Sequence, residues 1–359
     1  MPHLEAISLV QFRNYNHRQF RFDRRIVCIT GNNGVGKTNL LDAVYYLCFA
    51  KSYFFSQETR NVRYGADGFR LEGTLRQGDR LDTVVCTYKG GKKEVSLNGN
   101  PYTRFSRHLG RFPAVIVAPD DAVVISGGSG ERRRYLDTLL SQLDTDYLDD
   151  LITYQKVLTQ RNGLLKSQGE GSPADETLLG VFDAQLSAPG SRIYRKRLNF
   201  MAAVTEKVRH YYQLIAGSDE DVSIDYQSAL AEAPMEELLA RGRQRDLFLK
   251  RTSQGVHRDE LEFSLDGHPL RQVGSQGQRK NFLFALKLAQ YDILREFKGF
   301  PPLLLLDDVF EKLDHQRISR LIALIATDDF GQVFITDTDA ARLVGTFPGA
   351  SSQLQLIEL

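Results

Sequence analysis

Between residues 1 and 125 apolar side chains mostly alternate with polar ones, the period of half-buried strands. Leu4–Phe12 and Gln19–Phe22 read as an opening hairpin, and Arg25–Thr30 as a short apolar strand. Phe69–Leu75, Leu81–Tyr88 and Glu94–Leu97 read as further strands. Asn98-Gly99 follows as a turn, because both residues tolerate positive φ. Ala114–Val117 is another apolar strand. One segment breaks the alternation: in Lys37–Ala50, Leu40, Leu41, Val44 and Leu47 share one helical face.

After Gly127-Gly128-Ser129-Gly130 the spacing changes to three and four, and the chain reads as helix from Glu131 to about Arg251. Apolar stripes recur in Leu148–Leu165, Leu178–Leu186, Ile193–Ile215 and Met235–Leu249, with the polar stretch Ser167–Ala174 as a loop. Beyond Gly255 the mixed pattern returns. Glu260–Leu265 is a strand, Ser275–Phe297 a helix, Leu303–Leu306 a buried strand, Gln316–Ala326 a helix and Val333–Ile335 another buried strand. The simplest architecture is an α/β head made from both chain ends, residues 1–125 and 253–359, with a helical arm over 126–252.

Two segments carry chemistry. Gly31-Asn32-Asn33-Gly34-Val35-Gly36-Lys37-Thr38 matches the phosphate-loop pattern G-x-x-x-x-G-K-[ST] in full, between an apolar strand and a helix. Its glycines let backbone N–H groups turn toward phosphates, and the helix start adds partial positive charge. Lys37 is expected on the β- and γ-phosphates, Thr38 on Mg²⁺, and Asn39 beside them. The run Leu303–Leu306 ends in Asp307-Asp308, where an open α/β sheet presents ligands. Asp307 is expected to hold Mg²⁺ and Asp308 to orient or deprotonate the attacking water.

Ser275-Gln276-Gly277-Gln278-Arg279 opens an amphipathic helix 32 residues before Asp307, with Ser275 as a good N-cap. In this order the motifs resemble an ABC-type P-loop ATPase head. The resemblance implies that Ser275, Gly277 and Gln278 meet the γ-phosphate held by a partner chain, and that Asp314 belongs to a D-loop touching that partner. ABC transporters carry a phosphate-sensing His after the next strand. Here Thr336-Asp337-Thr338 stands there, and capping or turn-making accounts for either threonine equally well.

Ser275 follows Lys37 by 238 residues, too far for a transporter domain, and the insert lacks the sustained heptads of an SMC coiled coil. Five segments resemble the RecF family: Phe12-Arg-Asn-Tyr15, Ala118-Pro-Asp-Asp121, Gly130-Glu-Arg-Arg-Arg-Tyr-Leu-Asp137, Tyr154–Leu165 and Gly255-Val-His-Arg-Asp-Glu-Leu261. Lys51-Ser-Tyr-Phe-Phe-Ser56 departs from it, lacking an Arg the family more often has. The resemblance implies an ATP- and Mg²⁺-dependent, weakly hydrolysing homodimer on single-strand/double-strand junctions in DNA, working with RecR and RecO. Another ABC/SMC-like ATPase, of chromosome maintenance or phage defence, is the alternative. His257-Arg258-Asp259 spells a kinase triplet, but Ser264 stands where a kinase needs Asn.

Composition limits the partners. The 359 residues carry 46 Lys+Arg against 45 Asp+Glu, so DNA binding needs local patches rather than global charge. Candidate patches are Arg132, Arg133 and Arg134, and Arg195, Lys196 and Arg197. Each such run is as readily a solvated face, and no base-reading motif is visible. Three cysteines in no metal-ligand spacing, with no apolar membrane-length run, fit a cytoplasmic protein.

Overall fold

The computed structural model describes residues 1–167, 176–309, 315–347 and 354–359. In chain order the first elements are β1 (Pro2–Phe12), β2 (Tyr15–Arg21), β3 (Ile26–Thr30), α1 (Lys37–Phe49), β4 (Gly68–Gln77), β5 (Arg80–Lys89), β6 (Lys92–Leu97), β7 (Asn100–Pro101) and β8 (Ala114–Val117). Then come α2 (Ala122–Ser126), α3 (Ser129–Leu143), α4 (Thr145–Ser167), α5 (Glu176–Ala216), β9 (Val222–Gln227) and α6 (Met235–Leu249). The last are β10 (Glu260–Leu265), β11 (His268–Pro269), α7 (Leu270–Val273), α8 (Gln276–Lys298), β12 (Leu303–Leu306), α9 (His315–Ile325), β13 (Val333–Asp337), α10 (Ala340–Thr346) and β14 (Leu354–Glu358).

The chain forms two compact units. The head takes Met1–Asp121, His210–Ser218 and Lys280–Leu359; the second unit takes Ala122–Arg209 and Asp219–Arg279. The head has a five-stranded sheet in the order β14-β3-β13-β12-β8, every neighbouring pair parallel. It also has an antiparallel sheet, β2-β1-β4-β5-β6-β7. The parallel strands β3, β8, β12 and β13 are buried at every position, which is why they read as unbroken apolar runs. Helix α1 packs on strands of both sheets and is buried on nearly all sides. A helix in that position must be apolar all round, and its one acid, Asp42, needs a partner. The buried thiols of Cys48 and Cys86 belong to this core, and Cys28 is buried in β3.

The second unit is helical with one small sheet, β11-β10-β9. It differs from the sequence reading in three ways. Val222–Gln227, expected as part of a wholly helical arm, is a strand pairing antiparallel with β10 from Leu265↔Val222 to Glu260↔Gln227. That pairing holds residues 219–279 with the insertion, whereas the sequence reading returned to the head at residue 253. The stripes Leu178–Leu186 and Ile193–Ile215 fuse into the 41-residue α5, which runs through Pro189. An interior proline costs a helix about 3 kcal/mol; burial of Leu186 and Ile193 on either side offsets it. The expected loop Ser167–Ala174 lies almost wholly outside the described residues, as does Asp314. Among the described residues no helix is long and apolar enough to cross a membrane.

The second unit is organised around buried ion pairs. Arg161, fully buried, donates to Asp183 at 2.8 Å, Asp246 at 2.6 Å and Thr252 Oγ1 at 2.9 Å. Arg161→Ala leaves two buried carboxylates without that partner and is expected to destabilise the unit by about 3–5 kcal/mol. Arg241→Ala, at a solvent-exposed pair with Glu237, is expected to cost less than about 1 kcal/mol. Urea denaturation of both variants checks the contrast.

Candidate nucleotide-binding site

The phosphate loop links β3 to α1, and α1 begins at Lys37 with no side-chain cap and no acid in its first turn. Its first N–H groups are therefore left for an anion. Asn32, Asn33 and Gly34 are exposed at the loop's crest, with Val35 half-buried behind them. Lys37 is buried, and its Nζ donates to the Gly31 carbonyl at 2.9 Å and the Asn32 carbonyl at 3.1 Å, which sets the ammonium across the loop.

A second layer supports this loop from outside. Between β1 and β2, Asn14 Nδ2 donates to the Val35 carbonyl at 2.8 Å and the Tyr15 hydroxyl donates to the Gly36 carbonyl at 3.0 Å. Asn39 Nδ2 donates to Asn14 Oδ1 at 2.8 Å. Arg13 reaches Asn39 Oδ1 at 2.9 Å and pairs with Asp42, buried inside α1. The sequence marked Phe12–Tyr15 as a resemblance without a role. The available signal was a polar Arg-Asn between two strand-forming aromatics. Gly36 must be glycine here: φ is 117°, and a Cβ would meet Asn14 Nδ2 at 2.5 Å and Tyr15 Oη at 2.9 Å.

Thr38 and Asp307 meet across 269 positions of sequence, with Thr38 Oγ1 at 2.9 and 3.0 Å from the two carboxylate oxygens. Thr336, at the end of β13, donates to Asp307 Oδ1 at 2.8 Å and accepts from the Asp308 N–H at 2.9 Å. That places Thr336, rather than Thr338, against both acids. Asp308 holds φ at 44°, a left-handed conformation uncommon for a non-glycine residue. Burial pushes the Asp307 acid up to about 6; the neighbouring Asp308 adds to this, and hydrogen bonds from Thr336 and Thr38 oppose it. The adjacent Thr38 hydroxyl and Asp307 carboxylate fit Mg²⁺, a hard cation that takes oxygens at about 2.1 Å and shares its shell with phosphates.

Ser275, Gly277 and Gln278 lie in the second unit, and the phosphate loop in the head. Ser275 caps α8 reciprocally: the Gln278 N–H donates to Ser275 Oγ at 3.2 Å, and the Ser275 N–H to Gln278 Oε1 at 2.8 Å. Ser275 is exposed at that helix start.

The basic patches need correction. Arg132 is buried, held by Glu260 at 2.7 Å and the Gly127 carbonyl at 2.7 Å. Arg197 is buried among Asp137, Asp259, the Tyr147 hydroxyl and the Val256 carbonyl. Neither guanidinium faces outward, so neither is a DNA contact; both tie the second unit together. Arg133 donates to the Asp259 carbonyl and Lys196 pairs with Asp144 at 2.6 Å. Arg134 and Arg195 remain exposed. His257 of the kinase-like triplet is held by the Tyr154 hydroxyl and the Thr252 carbonyl, and Asp259 by Arg197, which leaves both in structural roles.

The family model described as RecF/RecN/SMC N terminal domain matches residues 3–345. The DNA replication and repair protein RecF of Flavobacterium johnsoniae is 41% identical over 341 residues, 95% of each chain. That of Parabacteroides distasonis is 42% identical, covering 95% of this chain and 92% of the relative. The solved structure of the recombination mediator protein RecF-ATPrS in the RecFOR pathway superposes with a TM-score of 0.88 at 30% identity, covering 100% of this chain and 96% of that one. An Smc head domain from Pyrococcus furiosus shares the fold, with a TM-score of 0.57 at 16% identity, covering 96% and 92% of the two chains.

Two outcomes follow from this geometry. Gly36→Ala is expected to weaken MgATP binding at least about tenfold, the factor that ~1.4 kcal/mol represents, as read by calorimetric titration. Asp307→Asn is expected to abolish Mg²⁺-dependent turnover while raising the melting temperature without nucleotide at pH 7.5. The sign follows from the raised acid: a carboxyl at about 6 favours the folded state when protonated, and that contribution is lost as pH rises through about 6. An amide keeps the neutral form at every pH. Melting curves across pH ~4 to ~7.5 check this, the gain growing as pH rises from about 4 through about 6.

Proposed function

This chain belongs to the RecF family of DNA replication and repair proteins, and from that premise we propose that it is an ATP-driven DNA clamp. The observation carrying the reading is the joined set of Thr38, Asp307, Asp308 and Thr336 beside an uncapped helix start. Lys37 and the loop amides bind the β- and γ-phosphates. Thr38 and Asp307 would hold Mg²⁺, which would supply neutralisation of phosphate charge there. Asp308 orients the attacking water, and its short side chain makes hydrolysis slow. Thr336 fixes Asp308 through its backbone N–H.

Ser275 completes the site in trans. Its exposed hydroxyl and the amides of Gly277 and Gln278 recognise the γ-phosphate bound by a second copy. Two nucleotides then sit in one isologous interface, and ADP, lacking that phosphate, releases it. The dimer closes on gapped or junction DNA in the cytoplasm, with sequence-independent phosphate contacts from exposed residues such as Arg134 and Arg195. RecO and RecR act with it in recombinational repair and replication restart.

Light scattering at micromolar protein tests this. Wild type is expected to double in mass with MgATP and not with MgADP, and Ser275→Arg to remain a monomer in both. A wild type that stays monomeric at saturating MgATP overturns the clamp.

A further inference from the structure

The head contains a chain of polar contacts that leads from the exposed phosphate loop into the interior and ends on α8. It starts at the Val35 carbonyl and passes through Asn14 and Asn39 to Arg13. Arg13 pairs with Asp42 and donates to Ser52 Oγ at 2.9 Å. Asp42 also accepts from Ser52 Oγ and from the Tyr53 N–H, both at 2.7 Å. The Tyr53 hydroxyl then donates to Asp121 Oδ1, and Asp121 Oδ2 takes Lys287 Nζ at 3.0 Å. Lys287 also donates to the Ile116 carbonyl of β8 at 2.8 Å. Every residue named lies in the head unit.

This arrangement is a poor way to gain stability alone. Lys287 and Asp121 are both almost fully buried, and a buried ion pair returns little more than its desolvation cost. Between Phe282 and Ile293 the helix is otherwise largely apolar, and a methionine at 287 would fill the same space. What a buried pair does supply is a unique register for the elements it joins. Here those are α1, β8 and α8. Helix α8 runs unbroken from Gln276 to Lys298 and is capped by Ser275.

We propose that Tyr53, Asp121 and Lys287 are positioning residues that couple nucleotide occupancy of a chain's own phosphate loop to the setting of its signature helix. Displacement of the loop shifts Arg13 and Asp42, Tyr53 transmits the shift to Asp121, and Lys287 passes it to α8. The coupling rests on the clamp reading, since a helix that meets no partner phosphate has no setting to transmit.

Tyr53→Phe removes one hydroxyl and keeps the ring. Lys287→Met keeps most of the side-chain volume and removes the charge. In the full-length protein, Tyr53→Phe is expected to leave monomer affinity for MgATP within threefold. It is expected to reduce ATP-driven dimerisation and ATP turnover at least tenfold. The double variant is expected to be no worse than the more impaired single variant, because both cut one link. Should Lys287→Met fail to fold, Tyr53→Phe decides the matter. A Tyr53→Phe protein that dimerises and turns over as wild type does, with only a lower melting temperature, overturns the coupling and leaves the clamp intact. A wild type that does not dimerise with MgATP overturns both.

Discussion

The phosphate loop hangs from a strand that cannot exist without the far end of the sequence. β3 has β13 on one side and β14 on the other, both drawn from more than 300 positions downstream. A parallel strand buried on both faces has no stable form until its neighbours arrive. The loop therefore takes shape only when the two parts of the head have met. The same pairing delivers the chemistry. With β12 and β13 in register beside β3, Asp307 and Thr336 come to the same end of the sheet as Thr38. One constraint of sheet order thus closes the core and assembles the nucleotide site, and its long sequence separation implies slow folding.

The second constraint is charge in a dry place. Asp307 sits where burial disfavours its ionised form. Asp42 is fully buried in α1 and is satisfied by Arg13, Ser52 and the Tyr53 N–H. Asp42 is thus held by partners of its own chain, whereas the Asp307 carboxylate has only two hydroxyls beside it among the described residues.

Much of this was legible in sequence where the signal is local. Ala114–Val117 and Leu303–Leu306 were readable as strands to the residue, because a double-sided burial leaves an unbroken apolar run. The phosphate loop was readable because its glycines and Lys37 serve one continuous turn. Long-range pairing hid the rest. Val222–Gln227 alternates over six residues only, and its partner strand lies beyond another helix. Arg132 and Arg197 looked like surface charge because Glu260, Asp137 and Asp259, which bury them, stand far off in sequence. Arginine at an interior carboxylate and arginine at a DNA phosphate are the same residue type in the same pattern. Only the fold separates them.

Two of the left-handed non-glycine residues lie beside the phosphate loop and its acids. Arg13 and Asp308 both hold left-handed φ, 51° and 44°, without being glycine. Each such residue costs about 1 kcal/mol or more and persists only when neighbours fix it. The Arg13 N–H is fixed by the Asn61 carbonyl at 2.9 Å, and the Asp308 N–H by Thr336 Oγ1 at 2.9 Å. One strained turn aims a guanidinium at α1, and the other aims a carboxylate away from the line of β12. A relaxed strand end would have continued the alternation and sent Asp308 to the opposite face from Asp307. The twist keeps two successive acids against one threonine at the end of β13. Thr336 bonds to both acids, so it is the residue that holds this twist in place.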